Sequence, residues 1–431
     1  MSIASSALSW LDASRRRDFA LFLAARALVV FSSQVQTVAI GWQVYDMTQD
    51  VMALGYVGLA LFLPVVACTL PAGDAADRFD RRRVIALSYV VQCGGAAVLA
   101  GLALAGIRDT MPLYATLVAL GAARALSGPA QQSYLPLLVP REALARAVAW
   151  TTSAFKLALV CGPALGGLLL VAGAEVAFGA AAVAIALALA AVAAIRTSGR
   201  SAPSGLEEGS RWRRLVLGVD YVLRNKVILG AMSLDLFAVL LGGAAALLPV
   251  YARDILEVGP EGLGAMRSAL AIGGIAMAVA LGVRPIERRV GARLLLAVAI
   301  FGVATIVLGL STSFVLSLAA LAAMGAADMV SMFVRQTVIQ LATPDGMRGR
   351  VSSVNLLFVG ASNELGDFES GLVAAWVGAV PAVVIGGVGT IAVVGIWSWG
   401  FPGLRRLDRF ADAAPPEPVA PAPLSDRPRG L

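Results

Sequence analysis

The stretch Gly121–Gly167, GAARALSGPAQQSYLPLLVPREALARAVAWTTSAFKLALVCGPALGG, occurs twice in this chain. Shifted by 204 residues, it aligns without gaps with Gly325–Gly371, and ten positions are identical. Both copies have the same order of features: an apolar run, a proline, a basic turn, a second apolar run and two glycines five residues apart. A repeat whose period is close to half of the chain length predicts two homologous halves rather than a solenoid.

The composition predicts an all-α membrane protein. Hydrophobic residues make up 59% of the chain and charged residues only 14%, whereas soluble domains are about half apolar and a quarter charged. Apolar runs of about 20 residues, enough to cross a bilayer, recur along the chain. The net charge of +7 comes from arginines in short loops and does not indicate nucleic-acid binding. The chain has no histidine, and its three cysteines lie in apolar segments, so we expect no metal site and no cofactor.

Twelve spans arranged as two pseudo-symmetric six-helix bundles account for the hydropathy and the charges. We predict a cytoplasmic lead at 1–18, bundles at 19–195 and 226–400, a cytoplasmic linker at 196–225 and a disordered cytoplasmic tail at 401–431. Most arginines lie on one side, and the opposite loops hold Arg108, Arg253 and Arg267, so both termini are expected in the cytoplasm. The predicted helices are 19–45, 52–73, 84–106, 111–138, 146–171, 175–195, 226–252, 263–283, 291–311, 314–341, 351–375 and 379–400.

The loop between the second and third spans, Gly73-Asp-Ala-Ala-Asp77-Arg78-Phe-Asp-Arg-Arg82-Arg, resembles the signature cytoplasmic loop of the major facilitator superfamily. We expect Gly73 to allow a tight exit from the second helix and Asp77 to accept hydrogen bonds from a nearby helix N-terminus. The resemblance implies that Gly73, Asp77, Arg78 and Arg82 control conformational gating. One departure is Asp80, which stands where that loop usually has glycine.

Two further motifs lie on the fourth and fifth spans. Arg124-Ala-Leu-Ser-Gly-Pro resembles the arginine motif of the superfamily, and Gly162-Pro163-Ala-Leu-Gly166-Gly167 resembles the antiporter motif of exporters. Small residues let helices approach closely and proline permits a bend. Simple helix packing explains the glycines equally well.

A closer resemblance, to bacterial exporters related to the enterobactin exporter, covers the chain up to about residue 407. It includes Ser133-Tyr-Leu-Pro, Thr343-Pro-Asp-Gly-Met-Arg and Ala361-Ser-Asn-Glu364-Leu-Gly-Asp367. It implies a central cavity, alternating access and export across the bacterial inner membrane, with protons as coupling ions and a monomer in the lipid bilayer. We expect a siderophore-type anionic or zwitterionic cargo, because the arginines within the predicted spans favour anions. A multidrug, lipophilic cationic cargo is the alternative, since Asp235 and Asp328 favour cations.

The halves differ in charge at two repeat-related pairs of positions. Arg124 matches Asp328 at an offset of 204, and Arg26 matches Asp235 at an offset of 209. These residues fall on spans 1, 4, 7 and 10, which line the cavity in the superfamily, and Arg335 shares a helix face with Asp328. They either bind cargo and protons or form Arg–Asp pairs that lock the halves together.

Other ionisable groups also lie in predicted spans. Glu364 and Asp367 share a face of span 11, and Lys156 is the only lysine in the interior of a predicted span. The two carboxylates serve either in proton coupling or in bonds to neighbouring helices.

Other classes of protein fit the sequence less well. A membrane enzyme would need a nucleophile–base set or metal ligands, and the carboxylates are scattered. An ATP-driven pump would need a phosphate-binding Gly-rich loop, which is absent from the sequence. A sensor built on the same fold stays possible.

Overall fold

The computed structural model describes residues 13–200, 211–344 and 347–413. Within these ranges, twelve long helices form two six-helix bundles, which confirms the predicted fold. The N-terminal bundle comprises α1 (Ala13–Thr48), α2 (Val51–Arg78), α3 (Arg81–Leu104), α4 (Thr110–Leu138), α5 (Leu144–Val171) and α6 (Ala174–Ala194). A short helix, α7 (Arg211–Arg224), lies in the linker. The C-terminal bundle comprises α8 (Lys226–Leu241), α9 (Gly259–Val283), α10 (Val290–Leu310), α11 (Phe314–Ala342), α12 (Arg348–Val377) and α13 (Ala379–Gly400).

Ten helices in the described ranges are long and apolar enough to cross a membrane. The two bundle helices outside that set, α4 and α12, are of sufficient length but carry polar side chains such as Arg124, Glu364 and Asp367. The chain is therefore a multi-pass membrane protein in which two spans depart from a purely apolar composition.

Helix pairing repeats between the bundles. In the first, α1 packs on α5 and α6, and α2 packs on α4; in the second, α8 packs on α12 and α13, and α9 packs on α11. The bundles meet where α2 packs on α12 and where α5 packs on α9. The repeat relates α2 to α9 and α5 to α12, so each of these two contacts is the equivalent of the other. An approximate two-fold axis therefore runs between the bundles.

The seventh span is not the continuous helix predicted at 226–252. Helix α8 ends at Leu241, and the chain continues through a 3₁₀ turn (Ala244–Leu247) and a π turn (Tyr251–Ile255). Gly242 and Gly243 occupy the break, where a Cβ on Gly243 would lie only 2.6 Å from the Gly366 carbonyl oxygen. The hydroxyl of Thr390 donates to the Ala238 carbonyl (3.1 Å), so α13 helps to satisfy the backbone at the break.

The turn between α2 and α3 also differs from the prediction. Helix α2 continues to Arg78, so Gly73 lies inside a helix and does not form its exit. Asp80 is the N-cap of α3, and its carboxylate accepts from the backbone N–H of Arg82 (2.9 Å) and Arg83 (3.4 Å). Aspartate is a favoured N-cap because it pairs with otherwise unpaired N–H groups.

The linker and the tail contain more structure than predicted. Helix α7 packs on α12, and its Tyr221 hydroxyl donates to the Ala342 carbonyl (2.9 Å). Residues 401–413, predicted to be disordered, contain a short helix and a 3₁₀ turn, and Leu404 and Leu407 are buried against the C-terminal bundle. Residues 201–210 and the remainder of the tail, 414–431, lie outside the described residues.

Candidate functional site

Two glycine pairs join the bundles at the end opposite the start of α1 and the end of α13, here called the distal end. Gly55 of α2 faces Gly371 of α12, and Gly167 of α5 faces Gly264 of α9. A Cβ on Gly371 would lie 2.9 Å from the Gly55 Cα atom, and one on Gly167 would lie 3.0 Å from the Gly264 Cα atom. The repeat relates Gly55 to Gly264 and Gly167 to Gly371. Each pair is therefore the symmetry mate of the other, and the distal end is closed by backbone contacts.

A polar cluster, here called the distal latch, joins the bundles at the same end. The Tyr45 hydroxyl donates to the Asp254 carboxylate, and the Arg253 guanidinium contacts Asp46 (2.6 Å) and lies 6.0 Å from the centre of the Tyr45 ring. Tyr45 and Asp254 are 209 residues apart, the repeat distance found for Gly55 and Gly264. A residue that pairs with its own repeat mate lies on the pseudo-two-fold axis, so the latch is on the axis.

The glycine motif of α5 packs on both bundles. A Cβ on Gly162 would lie 2.5 Å from the Gln34 Cβ atom, and one on Gly166 would lie 3.0 Å from the Val35 Cα atom, so both glycines bring α5 against α1. Pro163 is inside α5, and its carbonyl faces Gly264 of α9. The motif therefore positions α5 between α1 and the opposite bundle.

Exposed polar side chains lie at the middle of α11 and in the parts of α4 and α11 that are farther from the distal end. Gln132 of α4 and its repeat mate Gln336 of α11 are exposed, and so is Asp328, although protein surrounds it on most sides. Polar and charged side chains in the middle of spanning helices require water or a partner. Together with the closed distal end and the interaction of Asp328 with Lys156 of the other bundle, their exposure points to a space between the bundles that is open at the end where α1 begins and α13 ends, here called the terminal end.

The predicted cationic residues of the N-terminal bundle have different surroundings. Arg26 is half-buried and interacts electrostatically with Tyr89 of α3, inside its own bundle. Arg124 interacts electrostatically with Glu364 of α12, across the two bundles. The Nε atom of Arg124 is buried and has no hydrogen-bond partner among the residues that the structure describes. Only Arg124 of this pair therefore faces a charged group of the other bundle.

The two predicted aspartates also differ. Asp235 forms an ion pair with Arg335 within the C-terminal bundle, and the two residues are only 6% and 4% exposed. Asp328 is exposed to the space between the bundles and interacts electrostatically with Lys156 of α5. The structure does not bring Arg26 and Asp235 together, although the repeat relates their positions.

The α12 carboxylates lie where α2 crosses α12. A Cβ on Gly58 of α2 would lie 3.3 Å from the Asp367 Cβ atom and from the Glu364 carbonyl oxygen. Arg267 of α9 interacts electrostatically with Asp367 and is close to the Ala245 carbonyl (3.4 Å). Arg267 was expected in a distal loop, but it lies in the third turn of α9. Arg267 falls inside the predicted span 263–283, and this position already indicated that it lies in a helix and not in a loop.

The signature loop binds the last turn of its own bundle. The Arg82 guanidinium donates to the Ile195 carbonyl, and the Arg81 N–H donates to the Gly199 carbonyl (3.3 Å). In the C-terminal bundle the equivalent Val290 N–H donates to the Asp408 carbonyl (3.2 Å). The surroundings of Gly73 and the side chains of Asp77 and Arg78 lie outside the described residues, so their predicted gating contacts stay predictions.

Comparisons with known proteins agree with this architecture. A family model described as transmembrane secretion effector matches residues 8–427. Multidrug efflux pump Tap of Mycobacterium tuberculosis is 29% identical over 430 residues, 95% of this chain and 99% of that protein. Enterobactin exporter EntS of Escherichia coli is 27% identical over 379 residues, 86% of this chain and 85% of that protein.

Solved structures agree on the fold. A bacterial homologue of the human lysosomal transporter Spinster superposes with a TM-score of 0.71 at 14% identity, covering 94% of this chain and 98% of that chain. The human organic anion transporter MFSD10 superposes with a TM-score of 0.61 at 17% identity, covering 90% of this chain and 100% of that chain.

Proposed function

Because the chain belongs to the transmembrane secretion effector family of the major facilitator superfamily, we propose that it exports a small molecule across a bacterial inner membrane by alternating access, in exchange for protons. Both termini are cytoplasmic in this proposal, so the terminal end faces the cytoplasm and the structure is open inward. The observation that carries it is the combination of a closed distal end with an exposed, charged cavity at the terminal end. Alternating access requires a cavity that is open on one side only.

Proton coupling is proposed for Asp328. Antiport requires that a proton and the cargo compete, and a carboxylate exposed to the cavity can hold either a proton or a cationic group of the cargo. Asp328 is such a group, and Lys156 supplies its positive partner when neither is bound. Glu364 and Asp367 form a second candidate site because Arg124 and Arg267 balance their charges.

Two cargo classes stay in the proposal. A siderophore-type anionic or zwitterionic cargo would use Arg124, and the relation to the enterobactin exporter supports this class. A lipophilic cationic cargo would use Asp328, and the relation to the multidrug efflux pump over nearly the whole chain supports it. Because Arg124 faces Glu364 whereas Asp328 is exposed to the cavity, the geometry favours the cationic class.

Gating is proposed at both ends. At the distal end it uses the close approach of Gly162, Pro163, Gly166 and Gly167 to neighbouring helices. At the terminal end it uses the signature loop, with Asp77, Arg78 and Arg82. The protein works as a monomer in this proposal, since the cavity lies between the bundles of one chain.

The test is transport in proteoliposomes with and without an imposed pH gradient. The probes are ethidium as a lipophilic cation, enterobactin as an anionic catechol siderophore, and a neutral drug. Gradient-driven movement of ethidium that is lost in Asp328→Asn supports the cationic class. Movement of enterobactin that is lost in Arg124→Gln supports the anionic class. Movement of no probe under either condition contradicts export of these cargo classes.

A further inference from the structure

We infer that Asp235 and Asp328 act as one proton-binding unit, joined through a single water molecule inside the C-terminal bundle. The inference rests on the proposed proton-coupled export and specifies where the proton is held.

The two aspartates line the same small cavity, which lies between α8, α10 and α11. Ser331 is the third polar residue of its wall, and the rest is apolar: Ala238, Val239, Val298, Phe301 and Ala327. A volume of about 20 Å³ accommodates about one water molecule, and such a water needs two to four polar partners. Asp235, Asp328 and Ser331 supply that number.

The two carboxylates differ in access to solvent. Asp328 is exposed to the space between the bundles, whereas Asp235 is buried and paired with Arg335. Protons therefore exchange between this unit and the open cavity at Asp328. The protonated Asp328 carboxyl donates its proton to the water oxygen, and the water donates one of its own protons to Asp235. The water is regenerated, Asp328 becomes ionised and Asp235 becomes neutral.

The position of the shared proton decides which ion pair is intact. With the proton on Asp328, Lys156 of α5 loses its partner across the bundles, while Asp235 and Arg335 stay paired. With the proton on Asp235, Arg335 loses its partner within the bundle, while Asp328 and Lys156 interact. Among the described residues, Lys156 and Arg335 are the charged groups that face the two aspartates, and α10 contributes Val298 and Phe301 to the wall.

The cavity lies beside the break in the seventh span. Its lining residue Ala238 has the carbonyl that accepts from both the Gly242 N–H (2.9 Å) and the Thr390 hydroxyl. A change in the Asp235–Arg335 pair therefore acts on the last helical turn before the break. From there it can reach the distal latch, because Arg253 and Asp254 follow the break in the same span.

The test fills the cavity without changing any charge. Ala327→Val places two methyl groups in the wall, and Ala326→Val places the same groups on the neighbouring residue, outside the wall. We expect pH-gradient-driven ethidium efflux to fall roughly a hundredfold in Ala327→Val, because a proton transfer through a positioned group is lost. Ethidium exchange at equal pH should stay within about twofold of the wild type. Ala326→Val should match the wild type in both assays.

Two results of this comparison would overturn the inference while leaving export intact. One is gradient-driven efflux in Ala327→Val equal to that in Ala326→Val. The other is equal loss of gradient-driven efflux and exchange in Ala327→Val, which would make the cavity purely structural. A wild type that moves ethidium but ignores the pH gradient, or follows a Na⁺ gradient instead, contradicts proton coupling itself.

A double-mutant cycle gives an answer even if Ala327→Val does not fold. Asp235→Asn with Arg335→Gln removes both partners of the buried pair, which avoids an unpaired buried charge. We expect the losses from this pair change and from Asp328→Asn not to multiply, because groups that act as one unit are non-additive. Losses that multiply would assign the two aspartates to independent roles and overturn the inference.

Discussion

The two bundles share their backbone contacts but not their charges. Gly55–Gly371 and Gly264–Gly167 are equivalent crossings, and the Arg81–Gly199 and Val290–Asp408 backbone hydrogen bonds are equivalent too. At the charged positions the bundles diverge. The C-terminal bundle pairs Asp235 with Arg335, whereas Gln131 stands at the position equivalent to Arg335 in the N-terminal bundle. Arg26, equivalent to Asp235, lies beside Tyr89 instead.

The difference shows which structural features are kept in both copies of a repeat. A crossing at which two backbones touch excludes any side chain, so the same residue type is needed in both copies. A buried charge needs only some partner, and a neighbouring helix can supply a different one in each half. The matched glycines therefore indicate the architecture that the two bundles share, and the charged residues indicate how the roles of the bundles differ.

The largest expected effect concerns the buried Asp235–Arg335 pair of the C-terminal bundle. Asp235→Asn leaves Arg335 as an unpaired buried cation, and we expect it to lower the free energy of unfolding by about 3–5 kcal/mol. Arg335→Gln in the same chain should restore most of that loss. Denaturant unfolding of the purified protein measures both, with Asp328→Asn as the exposed control. Equal stability of Asp235→Asn and Asp328→Asn would contradict the difference in burial.

The second prediction concerns the equivalent glycine crossings. Gly167→Val or Gly371→Val forces side-chain atoms against the facing backbone, which disfavours the distal-closed state by about 1–3 kcal/mol. Ethidium efflux should fall to a similar extent in both variants, since the crossings are symmetry mates. Gly179→Val on α6 is the control, because a Cβ there has no neighbour within 4 Å. A loss in only one variant would show that the crossings are not functionally equivalent.

The third prediction compares how the third helix of each bundle begins. Asp80 caps α3, whereas the equivalent Arg289 precedes α10 in a left-handed conformation (φ 53°) without a side-chain cap. Asp80→Ala should lower the free energy of unfolding by about 1 kcal/mol. Arg289→Gly should instead raise it or leave it unchanged, since glycine adopts positive φ without strain. Denaturant unfolding measures the free energy of unfolding of both variants. A lower free energy of unfolding in Arg289→Gly would show that the Arg289 side chain makes a contact whose contribution exceeds the backbone strain.

The smallest effect is expected at the distal latch, which lies on the axis and belongs to both bundles. Asp46→Asn removes the partner of Arg253 at a partly exposed site, so the distal-closed state should lose about 0.2–1 kcal/mol. High salt should reduce the difference between variant and wild type. Labelling of an introduced distal cysteine measures the opening. The exchanged pair Asp46→Arg with Arg253→Asp should restore closure, and failure of that exchange would show that the latch does not act through charge.

Much of the architecture was predictable from local and repeated patterns. The twelve-helix fold followed from apolar runs of bilayer length, and the matched glycines followed from the repeat. Three features were not predictable. At the α8 break, the Ala238 carbonyl accepts a hydrogen bond from Thr390, which is more than 150 residues away in the chain. The Asp235–Arg335 pair depends on which faces of α8 and α11 meet, and Arg267 is balanced by Asp367 from another helix.

The sequence by itself determined that this chain crosses the membrane many times, that it has two related halves, and that both carry charged groups within their spans. Those properties follow from hydropathy, length and repetition, which are local or periodic in the chain. Only the tertiary structure decided which charges are buried in pairs and which are exposed to the cavity. It also decided that the distal end is closed while Asp328 is exposed on the other side. The physical reason is that the cost of a charge depends on its neighbours in space, and helices far apart in the chain supply those neighbours.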